Sequence, residues 1–169
     1  DKYLKKGVSS TFVITGGAKV TVNDGVEVCN TIYSSSGDGV FKLENGKEET
    51  LLTINGGWYH DLTGMNGLLV YGKGSSMSTY VPGKCVVNDC LVENVTGTYA
   101  LMFAEAYTTI EIGGGTYRNL NMSDGVGALA GLKGNRKANI ILKPFSEEAA
   151  AALNADVYLW NSDFYEDEY

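Results

Sequence analysis

His60 is the residue that acid–base or nucleophilic chemistry would have to use, because it is the single histidine in the chain. It precedes Asp61, but the spacing assigns no nucleophile to it, so a Ser-His-Asp arrangement cannot be drawn. In the repeat alignment described below, His60 shares a column with Glu93 and Arg118. Such a chemically mixed column is typical of an outward face, so the sequence favours a surface histidine over a catalytic base.

Paired carboxylates are a second candidate for chemistry. Asp24 and Asp89 share one column of the repeat, beside Asn23 and Asn88. Oxygen ligands stacked in this way could bind calcium, and two carboxyl groups across a cleft are what glycoside hydrolysis requires. Asn-Asp and Asp-Gly are also common turn formers. The sequence favours turns, and the enzymatic interpretation stays open.

Cysteine and glycine patterns point to no cofactor. The three cysteines, Cys29, Cys85 and Cys90, match no zinc spacing and indicate buried free thiols or at most one disulfide. The run Gly113 to Gly115 is not a phosphate loop, since no Walker pattern occurs and no helix is predicted after it. We therefore predict no catalytic residues, no metal site and no cofactor.

Aromatic side chains are the best candidates for binding. The chain has 11 Tyr, 5 Phe and 2 Trp, and exposed aromatic rings can stack on the apolar faces of sugars. The aromatic residues predicted to bind a ligand are Trp58, Tyr71, Tyr99, Tyr107 and Tyr117. The alternative is that these rings fill the core or contact another subunit.

Composition limits the fold class and the partners. The chain has 22 Gly and only 2 Pro, which suits many short strands joined by tight turns. A net charge of −7 argues against nucleic acid as a partner, because phosphate backbones require a basic surface. The sequence contains no apolar stretch long enough to predict a membrane span.

An internal repeat predicts the elements that would position these residues. Four segments align on Val22, Ile54, Val87 and Ile112, and read VNDGVEVCNT, INGGWYHDL, VNDCLVENV and IGGGTYRNL. A fifth run, aligned on Ile140, follows. Apolar residues two positions before each anchor would share its inward face. Stacked coils of parallel strands, a β-solenoid, are favoured, while an antiparallel sandwich is the alternative that periodicity leaves open.

Polar columns in the repeat predict ladders along the stack. The first ladder is Asn23, Asn55 and Asn88, and the second is Asp61, Asn94 and Asn119. A turn with positive φ is predicted at Gly25, Gly57, Cys90 and Gly115. The first coil fits poorly, and a one-residue insertion or bulge there would bring Val28 and Asn30 into column.

The chain divides into three predicted parts. Residues 1–11 are a linker or N-terminal cap, residues 12–143 the β-solenoid, and residues 144–169 a C-terminal cap with an acidic aromatic tail. A short capping helix is predicted after Pro144, with Ser146 at its N-terminus and Ala149 to Leu153 within it. Such covers are expected because a solenoid exposes strand edges at both ends.

The segments INGGWYHDLTGMNGLLVYG (residues 54–72) and IGGGTYRNLNMSDGVGALAG (residues 112–131) resemble coils of pectin-lyase-like right-handed parallel β-helices. They are most similar to the Gly-Gly-aromatic-Asn repeats of bacterial surface adhesins and phage fibre or tailspike modules. The resemblance covers residues 12–143 and implies an all-β, right-handed β-helix of about four to five coils.

This resemblance also implies a location and a role. It suggests a non-catalytic structural or adhesive module of an extracellular, cell-surface or virion fibre protein. The expected partners are a glycan or surface receptor, or further copies of the chain in an oligomer or fibre. The alternative is a polysaccharide lyase or glycoside hydrolase of the β-helix type.

Overall fold

The computed structural model describes residues 5–74, 81–123, 129–132, 138–143 and 159–161. This part of the chain is all-β and contains no helix. Its strands are β1 Lys5–Val8, β2 Phe12–Ile14, β3 Lys19–Val22, β4 Glu27–Tyr33, β5 Phe41–Glu44, β6 Leu51–Ile54, β7 Trp58–Thr63, β8 Val70–Lys73, β9 Lys84–Val87, β10 Leu91–Gly97, β11 Met102–Ala104, β12 Thr109–Ile112, β13 Thr116–Met122, β14 Ala130–Leu132, β15 Asn139–Leu142 and β16 Leu159–Asn161. The predicted capping helix lies outside the described residues.

The strands form three parallel sheets that the chain visits in rotation. Sheet A has the order β1-β4-β7-β10-β13, sheet B β16-β14-β11-β8-β5-β2, and sheet C β15-β12-β9-β6-β3. Four coils each contribute one strand to every sheet, from β2-β3-β4 in the first coil to β11-β12-β13 in the fourth. The predicted solenoid is therefore confirmed, with about four turns, and the antiparallel sandwich is excluded because the paired strands are parallel.

Strand register confirms the repeat alignment. Val22 pairs with Ile54, Ile54 with Val87, and Val87 with Ile112. The predicted anchor of the fifth run is wrong by two residues, because Leu142 and not Ile140 pairs with Ile112. Both residues lie on the same face of the strand, so apolar periodicity alone could not separate them.

The irregular first coil contains the predicted insertion. Val28 pairs with Tyr59, as required if one extra residue precedes it. The Asn55 amide donates to the Val22 carbonyl and the Trp58 amide to the Val26 carbonyl, both at 2.8 Å. Three residues therefore separate Val22 from Val26, where the second coil has two between the equivalent positions. The turn between sheets C and A absorbs the extra residue.

The core is a set of stacked apolar columns enclosed by the three sheets. In sheet C the inward side chains of Leu52, Cys85 and Ile110 are fully buried, and so are Ile54, Val87 and Ile112. The inward side chains of each coil pack against those of the coils above and below it. No single coil could bury this surface alone, so burial of apolar area couples the coils.

The first asparagine ladder is confirmed and runs along the corner between sheets C and A. Asn55 donates a hydrogen bond to the Asn23 carbonyl oxygen at 3.2 Å, and Asn88 donates one to Asn55 at 2.8 Å. Each amide lies above the equivalent amide of the next coil because parallel stacking repeats every side-chain position at the inter-strand spacing.

The second ladder occupies left-handed backbone positions within sheet A. Asn30, Asp61, Asn94 and Asn119 have φ between 51° and 55°, a conformation that asparagine and aspartate tolerate better than most residues. Asn119 donates to Asn94 at 3.0 Å, which confirms that part of the prediction. Asp61 instead contacts the neighbouring His60. The residue before the left-handed position faces outward, as His60 does, and the residue after it faces the core, as Leu62 does.

Candidate functional site

Sheet A presents a row of polar and aromatic side chains on its outer face. One outward column consists of Glu27, Trp58, Leu91 and Thr116, and the next consists of Cys29, His60, Glu93 and Arg118. Adjacent parallel strands lie about 4.8 Å apart. Side chains separated by a whole coil in sequence therefore become direct neighbours on this face.

Trp58 is held in one orientation on this face. Its indole ring stacks on the His60 ring, with ring centroids 3.9 Å apart and planes 23° from parallel. The indole N–H donates a hydrogen bond of 3.1 Å to Glu93 Oε2. The side chain nevertheless remains 41% exposed. The result is a fixed aromatic surface that is open to solvent.

Glu93 links three strands of sheet A. Its Oε2 accepts from Trp58 on β7, and its Oε1 accepts from Arg118 Nη1 on β13 at 3.3 Å. Arg118 is more exposed than Glu93, so the guanidinium retains donors that face solvent. The carboxylate therefore orients the indole and anchors an arginine whose remaining N–H groups could meet a ligand.

His60 lies in the predicted outward column, but it is not an exposed side chain. The residue is 9% exposed, because the Trp58 ring covers it. Its Nδ1 lies 2.7 Å from Asp61 Oδ2, and its Nε2 lies 3.1 Å from Glu27 Oε1. Burial lowers the pKa of His60, but the hydrogen bonds and charges of Asp61 and Glu27 outweigh it and raise the pKa. Both ring nitrogens face carboxylates, so a Ser-His-Asp arrangement is not formed.

A groove of about 570 Å³ runs along the corner between sheets C and A and crosses the four coils. Its lining includes Asp24, Glu27, Gly56, Trp58, Asp89 and Arg118. Gly56 of the second coil leaves room in the groove for the Asp24 carboxylate, since a Cβ on Gly56 would lie 1.9 Å from Asp24 Oδ1. The groove therefore combines one aromatic ring, carboxylates and a guanidinium along one edge of the solenoid.

Asp24 and Asp89 both line the groove, in coils that are not adjacent. They lie in the first and third coils, with Gly56 of the second coil between them. Two inter-strand spacings put their backbones about 10 Å apart. The Asp24 carboxylate reaches over the second coil, since its Oδ1 would lie 1.9 Å from a Cβ on Gly56.

The five aromatic residues predicted to bind a ligand occupy different parts of the molecule. Tyr71 is half-buried on the outer face of sheet B, where it stacks on Phe103 and donates a 2.6 Å hydrogen bond to Glu105. Burial and the Glu105 carboxylate raise its pKa. Tyr99 and Tyr107 are half-buried on the connections before and after β11.

Tyr117 is fully buried. It points into the core because its position on β13 aligns with the inward Val92 of β10. A ligand at the surface cannot reach this ring, so Tyr117 is removed from the candidate site. Of the five aromatics, the groove includes Trp58 alone.

Sequence reasoning missed Glu27, Cys29 and Glu93 as partners in the site. Glu27 contacts His60 across 33 positions, and Glu93 contacts Trp58 across 35. The repeat alignment carried the necessary signal, since it placed His60, Glu93 and Arg118 in one column. The insertion that brings Val28 beside Tyr59 also puts Glu27 opposite Trp58, but a column does not show which side chains make contact.

The fold and the groove define the chain as a parallel β-solenoid of about four turns. Searches of protein-family models, curated proteins and solved structures return no significant match for the chain. Among the residues that the structure describes, no helix is long and apolar enough to cross a membrane.

Proposed function

We propose that this chain is a non-catalytic, adhesive β-solenoid module that binds a glycan in the groove between sheets C and A. The proposal includes a location at a cell surface, on a virion fibre or elsewhere outside the cell, as the resemblance to adhesin and tailspike repeats suggests. The observation that carries it is the fixed, partly exposed ring of Trp58 in a groove lined by polar groups.

The chemistry of the groove suits a sugar. A pyranose ring presents apolar C–H faces, which stack on an indole, and hydroxyl groups, which hydrogen-bond to carboxylates and guanidinium groups. Trp58 supplies the stacking surface, while Asp24, Asp89 and Arg118 supply hydrogen-bonding groups along the same groove. Because Trp58 is already oriented by His60 and Glu93, little conformational entropy is lost when a ligand binds.

The charge of the groove favours a neutral glycan over an acidic one. Asp24, Glu27 and Asp89 line it, against the single cation of Arg118, which Glu93 already partly neutralises. A polyanionic sugar chain would meet repulsion there. A neutral oligosaccharide lying across several coils is therefore the proposed ligand class.

The alternative, a β-helix hydrolase or lyase, has weaker support from the same groove. A lyase needs a basic group to abstract a proton, and Arg118, the one basic residue among the described residues that line the groove, is paired with Glu93. The acidic lining also disfavours the anionic polymers on which lyases of this architecture act. Binding without turnover is the better-supported proposal.

A glycan panel with neutral and acidic members tests the proposal. We expect binding to neutral oligosaccharides, with Trp58→Ala weakening affinity by about tenfold or more. Met65→Ala is the matched control, because Met65 is also 41% exposed but does not line the groove. Trp58→Phe keeps a ring but loses the N–H donor to Glu93, so it should give an intermediate affinity.

Two results would contradict the proposal. One is unchanged affinity in Trp58→Ala, which would place the glycan elsewhere. The other is release of new reducing ends from a bound glycan, which would make the module an enzyme. Circular dichroism of each variant establishes that any loss of binding does not reflect unfolding.

A further inference from the structure

We propose that Glu27, Cys29 and His60 form a binding site for one divalent transition-metal ion, with zinc as the metal of best fit. The three side chains each offer one ligand atom, and these atoms all lie within 4.8 Å of one another. The site lies on the outer face of sheet A, at the first and second coils. It adjoins the groove, since Glu27 lines the groove and His60 stacks on Trp58, but it does not rest on glycan binding.

The parallel register assembles the site. Glu27 and Cys29 are two residues apart on β4 and therefore leave the same face of the strand. Cys29 pairs directly with His60 on β7. Three side chains of different chemistry thus converge from two adjacent strands. No local motif marks the site, because His60 lies one full coil after Cys29.

The hydrogen-bonding pattern of His60 favours a positive charge at or beside the ring. A neutral imidazole has one N–H and one lone pair, yet both His60 nitrogens face carboxylate oxygens, at 2.7 Å and 3.1 Å. The shorter contact is satisfied if Nδ1–H donates to Asp61. The lone pair of Nε2 then faces the anionic Glu27, a repulsive contact unless a proton or a metal ion lies between them. A metal ion bound by both groups would remove this repulsion.

Residues around the three ligands have the geometry of metal-supporting groups. In metal sites the second nitrogen of a ligating histidine commonly donates to a carboxylate, as Asp61 is placed to accept here. Asn30 Nδ2 donates to Cys29 Sγ at 3.4 Å, which would stabilise a metal-bound thiolate. Asn30 and Asp61 are equivalent members of the left-handed column. Each directs its side chain back onto the ligand that precedes it.

The ligand set selects the class of metal. One imidazole nitrogen, one thiolate sulfur and one carboxylate oxygen suit zinc, whereas calcium and magnesium prefer oxygen ligands alone. Glu27 is about half exposed at its side chain, so a fourth position remains open to water. The Trp58 ring stacks on one face of His60. The result is a three-ligand site that is open at one position.

Titration of the purified chain with zinc against a chromophoric chelator tests the proposal. We expect one zinc per chain, and with cobalt in place of zinc a sulfur-to-metal charge-transfer band that reports a cysteine ligand. Cys29→Ser and His60→Ala should each weaken zinc binding by more than about 100-fold, and Asp61→Asn by about tenfold. Cys85→Ala removes a core thiol on sheet C and should leave zinc affinity unchanged.

Three outcomes would overturn the proposal. These are no saturable zinc binding, binding that survives in both Cys29→Ser and His60→Ala, or a cobalt complex without the charge-transfer band. Absence of binding would mean that a proton, and not a metal, occupies the space between His60 and Glu27. Urea unfolding of each variant without metal separates loss of a ligand from loss of the fold. Failure of this test leaves the glycan proposal intact, since Trp58→Ala tests that separately.

Discussion

The hydroxyl of Tyr117 donates a hydrogen bond of 2.8 Å to the carbonyl of Gly114, three residues earlier in the chain. Tyr59 makes the same contact with Gly56 at 3.2 Å. Both tyrosines are fully buried, so this contact satisfies a polar group inside the apolar core. The glycines and the tyrosine of the Gly-Gly-x-Tyr sequence, in the second and fourth coils, thus form a structural unit of the corner, and its tyrosine is not a ligand-binding residue.

The second glycine of this unit is expected to tolerate no side chain. Gly115 has φ +116°, and a Cβ there would lie 2.6 Å from the Tyr117 hydroxyl. We expect Gly115→Ala to lower the free energy of unfolding by about 3 kcal/mol, from backbone strain and overpacking together. Gly25→Ala is the matched control, because Gly25 has φ +90° but open space around it. It should cost about 1–2 kcal/mol. Equal losses in urea unfolding would mean that the tyrosine contact contributes nothing.

The asparagine ladder should stabilise the stack in proportion to the hydrogen bonds removed. Asn55 both donates to Asn23 and accepts from Asn88, whereas Asn88 makes one such contact. Because the ladder is exposed, we expect Asn55→Ala to cost about 1 kcal/mol and Asn88→Ala about half of that. Urea denaturation of the two variants measures the difference. A larger loss in Asn88→Ala would show that turn propensity, and not the ladder, dominates.

Glu111 should contribute to stability above acidic pH. It is 7% exposed and pairs with Lys84 at 3.0 Å and with Lys143. Hydrogen bonds from Lys143 and Lys84 hold the pKa of Glu111 below its ordinary value of 4.5, against the opposing effect of burial. The folded state therefore gains stability above the unfolded pKa and loses it as pH falls through the lower, folded pKa.

Glu111→Gln tests this contribution through the pH dependence of unfolding. We expect the variant to lose about 1 kcal/mol at neutral pH, since both lysines are partly exposed. The difference from the wild-type chain should shrink as pH falls below 4.5. Lys84→Gln, which leaves Lys143 in place, should show about half of the effect. If the free energy of unfolding of Glu111→Gln has the same pH dependence as that of the wild-type chain, Glu111 does not make this contribution.

The three cysteines should differ in reactivity. Burial raises the pKa of Cys90 to about 12 and raises that of Cys85 as well, so neither forms a reactive thiolate in the folded chain. Cys29 is only partly buried. A thiol reagent should therefore modify one cysteine in native protein and three in urea. Peptide mapping should place the native label on Cys29, and rapid native labelling of Cys85 would contradict the packing.

Much of the fold was predictable from a few columns of the repeat. Asn23, Asn55 and Asn88 stack as predicted, and the insertion that brings Val28 beside Tyr59 is present. The predicted positive φ at Cys90 is wrong, since that residue does not have one. In the third coil Val92 replaces the tyrosine of the Gly-Gly-x-Tyr unit. Its side chain has no hydroxyl to approach residue 90, so a cysteine fits where the other two coils have glycine.

The candidate site was less predictable, because alignment identifies columns but not the direction or burial of each side chain. Tyr71 and Tyr117 look alike in sequence, yet one lies on the outer face of sheet B and the other in the core. Sheet A strands contain a residue with left-handed backbone, for example Asn94 in the third coil. The alternation of inward and outward side chains shifts by one position after this residue. A strict period of two fails across it.

The sequence by itself determined that His60, Glu93 and Arg118 share one column, because a repeat with matched spacing stacks equivalent residues. Only the tertiary structure decided that Glu27 and Cys29 join His60, and that Trp58 is fixed between His60 and Glu93. The physical reason is that backbone hydrogen bonds between parallel strands place equivalent residues of successive coils beside one another. Side-chain contacts depend instead on the exact register that one inserted residue sets.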